Sequence, residues 1–186
     1  MPTSQQYIDD ETREHVGHLV RKRVPWLLLG LLGGICTSLV VSRFETILSG
    51  DVRIAFFIPI IVYMSGAISA QTGAIYVRHL RHAASSQFIR SITKEIGLGI
   101  SLGILFGFIV GIFAYFWLGS MSVGITIGIS MFCTVALAPM IATIVTAALY
   151  RMHSDPALGS GPITTIIQDF LSLLIYLLIA SSIILN

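Results

Sequence analysis

Residues 96–150 read IGLGISLGILFGFIVGIFAYFWLGSMSVGITIGISMFCTVALAPMIATIVTAALY, 55 consecutive positions without an Asp, Glu, Lys or Arg. A single helix of that length would extend about 80 Å, whereas the hydrocarbon core of a bilayer is about 30 Å thick. The stretch must therefore fold back. Gly119-Ser120-Met121-Ser122 is the small, polar cluster at which the turn is expected. This one segment predicts two membrane-crossing helices, near 96–118 and 122–150.

Working outward, the charges delimit three more spans. Nineteen uncharged residues separate Arg23 from Arg43, and 24 separate Arg53 from Arg78. After Asp155 come 13 uncharged residues, then Asp169, then 17 more to Asn186. About 20 apolar residues suffice for a crossing helix. The expected spans are 24–42, 54–78, 96–118, 122–150 and 162–185, which together make a five-helix transmembrane domain over 24–186. Composition agrees: 55% hydrophobic against 11% charged residues, with mean hydropathy +0.88, leaves too little polar surface for a water-soluble globule. The fold class is an all-α integral membrane protein.

Topology follows from the basic residues. Arg13, Arg21, Lys22, Arg23, Arg78, Arg81, Arg90, Lys94 and Arg151 fall on one side of the five spans, and Arg43 and Arg53 on the other. Nine against two predicts a cytoplasmic N-terminus and an outside C-terminus. The net charge of +2 is thus spent on topology and implies no nucleic acid partner. Residues 1–23 read as a cytoplasmic segment able to form a short helix, with Asp9, Asp10 and Glu11 near its start and Arg21, Lys22 and Arg23 near its end. They carry no signal-peptide pattern. His15 with His18, and His79 with His82, are too few ligands for a metal site. Cys36 and Cys133 lie in spans and read as small packing residues.

Two spans carry patterns beyond hydropathy. Gly99, Gly103, Gly107 and Gly111 recur every fourth residue, the spacing of a close helix–helix seam in lipid. The second span has Pro59, a helix-kinking residue, followed by Ser65, Gly66, Ser69, Ala70, Gln71 and further small side chains. That run suits either a close helix contact or the wall of a hydrated path.

Eight of the nine acidic residues lie in tails, loops or span ends. Asp169 does not. It stands seven residues beyond Pro162, about 10 Å into the fifth span. An ionised carboxylate there costs about 2.5–3.5 kcal/mol, and the spans hold no Lys or Arg to pair with it. Helical spacing puts Gly161, Thr165, Asp169 and Ser172 on one face: space, a hydroxyl, a carboxylate and a hydroxyl. Oxygen ligands of this kind suit a hard divalent cation, Mg²⁺ with Mn²⁺ or Ca²⁺ as alternatives. One carboxylate is a weak site, and two copies across a two-fold axis make a credible one. The chain offers no paired acid and base, no nucleophile constellation and no phosphate-cradling loop, so no enzyme is expected.

The stretch from Asp155-Pro156-Ala157 through Ser160-Gly161-Pro162 and Thr164-Thr165 to Asp169, continuing to Leu174-Ile175-Tyr176, resembles the fifth-helix signature of MgtE-type magnesium channels. Arg23-Val24-Pro25-Trp26, Val41-Ser42-Arg43-Phe44-Glu45, Phe56-Phe57-Ile58-Pro59 and Gln71 to Arg78 resemble that family's first and second helices. The resemblance implies a homodimer in the bacterial inner membrane, in contact with lipid, whose second and fifth helices line a central path. It implies that Asp169 from each chain binds hydrated Mg²⁺, the transported ion rather than a resident cofactor. Gly161 and Thr165 would lie on the path, opposite Gly66 and Ala70. Ala67 and Ala70 stand where the family carries asparagines, while Gln71 matches its glutamine, so fewer polar groups face the ion. The family's cytosolic regulatory domains have no counterpart expected in these 186 residues. Two other functions are compatible with the same residues: a Na⁺- or H⁺-coupled divalent cation exchanger, and a non-conducting membrane adaptor with the same fold.

Overall fold

The computed structural model describes residues 15–80, 88–152 and 156–184. The elements are α1 (Val16–Ser42), α2 (Glu45–Gly50), a 3₁₀ turn (Val52–Phe57), α3 (Ile58–Leu80), α4 (Phe88–Leu118), α5 (Met121–Arg151) and α6 (Pro156–Ile184). Among the described residues five stretches are long and apolar enough to cross a membrane: Val16–Ser42, Val52–Arg78, Ser91–Leu118, Met121–Arg151 and Ser160–Ile184. The chain is an all-α, multi-pass membrane protein. One end of the bundle carries Arg23, Arg78 and Arg151 and is called the basic end below. The far end carries Arg43, Asp51 and Arg53.

Helix boundaries depart from expectation where proline is concerned. Among the described residues Val16 to Arg23 are the opening turns of α1, continuous with the first span, and Pro25 sits inside that helix. Residues 1–14, with Asp9, Asp10 and Glu11, lie outside the described residues. Pro59 is the second residue of α3, directly after the 3₁₀ turn. The expected kink is thus a change of helix type, made where the missing N–H costs nothing. Likewise α6 opens at Pro156 and Pro162 lies inside it.

The turn between α4 and α5 is where the sequence places it. Gly119 has φ +63°, a left-handed conformation that glycine adopts without penalty, and its N–H donates to Tyr115 O at 2.9 Å to close α4. Ser120 then caps α5 by accepting from Val123 N at 3.4 Å.

Helix α5 is the centre of the bundle. Val123, Ile127, Met131, Val135, Ala138 and Ala142 are all at most 1% exposed. Helix α4 packs along it antiparallel through the glycine seam. A side chain at Gly103 would meet Phe132 O, at Gly107 would meet Gly128 O, and at Gly111 would meet the Gly128 backbone; Gly99 abuts Ala136 O. In lipid there is little hydrophobic drive between helices, so such backbone-to-backbone approach is what holds them. On the other side of α5 lie α3 and α6, and α1 packs on α6 with Gly33 against the Ile166 side chain. The outer faces of α1 and α4 (Leu27, Leu31, Leu39, Ile104, Phe108, Phe116) are exposed and apolar, as a lipid contact requires. Cys36 belongs to that exposed surface and is not the packing residue expected of it; Cys133 is partly buried on α5.

The far end is pinned by polar and aromatic contacts. Tyr176, fully buried on α6, donates its hydroxyl hydrogen to Ile54 O at 2.6 Å. Trp117 packs tilted against Phe57 and Phe113 at ring-centroid distances of 5.7 and 5.5 Å. Asp51 takes a bidentate pair from Arg53, Nε to Oδ1 at 2.8 Å and a second nitrogen to Oδ2 at 2.6 Å, which holds its carboxyl below the usual carboxylate range.

Candidate functional site

Between the basic-end half of α3 and the first half of α6 lies a cavity of about 340 Å³. Gly66, Ser69, Ala70 and Gly73 form its α3 wall, and Gly161, Thr164, Thr165 and Gln168 its α6 wall. The local sequence explains the space. A Cβ added at Gly66 or Gly161 would meet nothing within 4 Å, unlike the seam glycines of α4. Glycine therefore serves two opposite ends in this chain, closing one helix pair and holding another apart.

The sequence-derived candidates divide into four groups. Gly66, Ser69, Ala70, Gly161 and Thr165 all line the cavity. Ser65 and Ser172 are fully buried and bonded to each other, Oγ to Oγ at 2.8 Å, inside the α3–α6 contact. Gln71 is exposed on α3, outside the cavity wall. Asp169 is half-buried, one turn beyond Thr165 and next to the cavity residue Gln168. Measured from Ser160, where the membrane-length stretch of α6 begins, it is nine residues or about 14 Å along the helix. That is close to mid-membrane, deeper than counting from Pro162 suggests. Among the described residues no three His, Cys, Asp or Glu side chains come together, so Asp169 belongs to no such cluster.

A residue that hydropathy does not single out ties the site together. Gln168 is 1% exposed. Its Nε2 donates to Ser172 Oγ at 3.1 Å and, at a longer 3.4 Å, to Thr134 O of α5. Ser65 Oγ lies 2.9 Å from Ile61 O, which accepts its hydrogen. The relay runs Gln168 to Ser172 to Ser65 to Ile61 O, and with Thr134 it joins α3, α5 and α6. Ser69 adds a longer bond from α3 to α5, donating to Ala138 O at 3.3 Å. The available signal was a carboxamide four residues before Ser172 within an apolar helix, a spacing that puts both on one face.

These features define a multi-pass membrane protein with an acid inside its last membrane-length helix, one residue from a cavity walled by small and hydroxylated side chains. Residues 58–179 match the MgtE family, described as divalent cation transporters, and the chain belongs to that family. It is 33% identical over 163 residues to the magnesium transporter MgtE of Bacillus subtilis, a match covering 87% of this chain and 36% of that protein. The magnesium transporter MgtE of Enterococcus faecalis is 31% identical, covering 92% of this chain and 38% of that protein. That of Thermus thermophilus is 30% identical, covering 85% and 35%. The chain thus spans little more than a third of the length of these relatives.

Proposed function

We propose that two copies of this chain form a path for divalent cations, Mg²⁺ foremost, with α3 and α6 of each copy facing the axis and Asp169 from each binding a hydrated ion. The observation that carries the reading is Asp169 itself, a half-buried carboxylate about 14 Å along the membrane-length stretch of α6 and in no cluster of three or more acidic, His or Cys side chains among the described residues. An acid in that position is costly unless it serves an ion or a proton. Family membership and the magnesium-transporting relatives support the choice of cargo. The positive-inside count favours an orientation with the basic end, and hence the cavity mouth, in the cytoplasm. An inside-negative potential then drives entry, by about 4.6 kcal/mol per 100 mV for a divalent ion, twice the single-charge value.

The test is metal uptake into liposomes holding purified protein, with Mg²⁺, Mn²⁺ and Ca²⁺ compared. Wild type should pass Mg²⁺, and Asp169→Ala should fall to the level of empty liposomes while still folding. Mg²⁺ uptake unchanged in Asp169→Ala would remove the carboxylate from the mechanism. Uptake that vanishes when Na⁺ and proton gradients are collapsed would convert the channel into a coupled exchanger.

A further inference from the structure

Gln168 has one polar atom that the protein does not satisfy. Both amide hydrogens are committed, to Ser172 Oγ and Thr134 O, and the reverse amide orientation would set a carbonyl oxygen against the Thr134 carbonyl. Oε1 is therefore the free end, and it is buried without a hydrogen-bond partner. A buried carbonyl left that way costs about as much as a lost hydrogen bond, and folded proteins rarely tolerate it. The same side chain forms part of the wall of the 340 Å³ cavity, beside Ser69, Thr164 and Thr165. Most of that wall is apolar, with polar groups from Ser69, Thr164, Thr165 and Gln168, and the space has room for several waters at about 30 Å³ each. Oε1 lies just behind its surface, so a small shift of the wall is needed to bring it into reach.

We infer that Gln168 is a cation-binding residue, an outer-sphere acceptor whose Oε1 takes a hydrogen bond from the water shell of a divalent cation in the cavity. The inference rests on the cation-path reading above and assigns a second recognition point, on the cavity side of Asp169. The chemistry is complementary. Mg²⁺ gives up its waters reluctantly, and a hydrated cation presents only O–H donors to its surroundings. Serine and threonine hydroxyls are ambivalent toward such donors. A carboxamide whose nitrogen is already fixed by two acceptors is not; it offers one oriented oxygen. Fixing the amide through three helices also removes the entropy cost of aiming it when the ion arrives.

Binding is measured by titration calorimetry on the full chain in detergent at pH 8, with two probes, Mg²⁺ and hexaamminecobalt(III). The second keeps its six ammine ligands, so it reports hydrogen bonding to a coordination shell without direct metal contact. Gln168→Met keeps the length and removes the acceptor; both probes should bind about tenfold more weakly, in step. Gln168→Glu keeps an acceptor and adds charge; although its second oxygen then faces the Thr134 carbonyl, the added charge should make the folded variant bind both more tightly than wild type. A folded Gln168→Met with wild-type affinities would overturn the inference. So would wild-type protein that binds neither probe, or Gln168→Glu weakened as much as Gln168→Met, the pattern of a purely structural side chain. If Gln168→Met fails to fold, Gln168→Glu carries the test alone, and affinity no tighter than wild type rejects the acceptor role. Liposome flux separates the two readings: probe binding that depends on Gln168 without Mg²⁺ flux sinks the transport reading alone, and flux with Gln168-independent affinity sinks this one alone.

Discussion

Asp169 and Gln168 are neighbours in the chain with different tasks, because successive helical residues point about 100° apart. One is half-buried and ionisable; the other is sealed among α3, α5 and α6 with both nitrogen hydrogens used. Tyr176 does for the far end what Gln168 does near the cavity. Its hydroxyl satisfies the buried carbonyl of Ile54, and Tyr176→Phe should lower stability by about 1–3 kcal/mol, read as a reduced melting temperature in detergent. Asp51 gives a pH signature outside the membrane. The Arg53 pair depresses its folded pKa, so the stability it contributes is complete above the ordinary carboxylate range and is lost as pH falls below about 4, toward the lowered folded value. Asp51→Asn should therefore flatten the acid limb of a melting-temperature profile and leave its neutral region almost unmoved.

At the scale of elements, the two helix pairs that use glycine should respond oppositely to the same substitution. Gly107→Val forces a side chain onto Gly128 O across the α4–α5 seam, and about 1–3 kcal/mol of overpacking should appear as a lower melting temperature. A Cβ at Gly161 meets nothing within 4 Å; Gly161→Leu should melt as wild type does while narrowing the cavity and cutting Mg²⁺ uptake several-fold. A freely conducting Gly161→Leu would mean that the cavity is not part of the path. The α4 seam was legible as a motif because small residues every fourth position admit one geometric use in lipid. The run around Gly66 was not, since close contact and open space call for the same small residues. Only the distance to the facing helix separates them. Span ends were the least legible feature: α1 runs eight residues ahead of the charge boundary at Arg23, and α6 opens at Pro156, because helices continue past the hydrocarbon they cross.

For the whole molecule, the two-copy reading proposed above makes one chain one wall of a path. Ala70 and Thr165 are exposed on α3 and α6 at the cavity, where a second copy is expected to close it. The mass of the protein in nanodiscs should correspond to two chains. With Cys36 and Cys133 replaced by serine, Ala70→Cys should cross-link copies under mild oxidation, and a monomeric mass would refute the two-fold path. Five crossings, their order and the lone deep acid were readable from the chain alone, because the cost of moving charge into hydrocarbon is paid residue by residue along it. Which small residues close a seam and which leave a cavity, and that Gln168 rather than Gln71 sits at the cavity wall, depended on how helices far apart in sequence meet. Packing and hydrogen bonding are relations between pairs of residues, and no single position carries them.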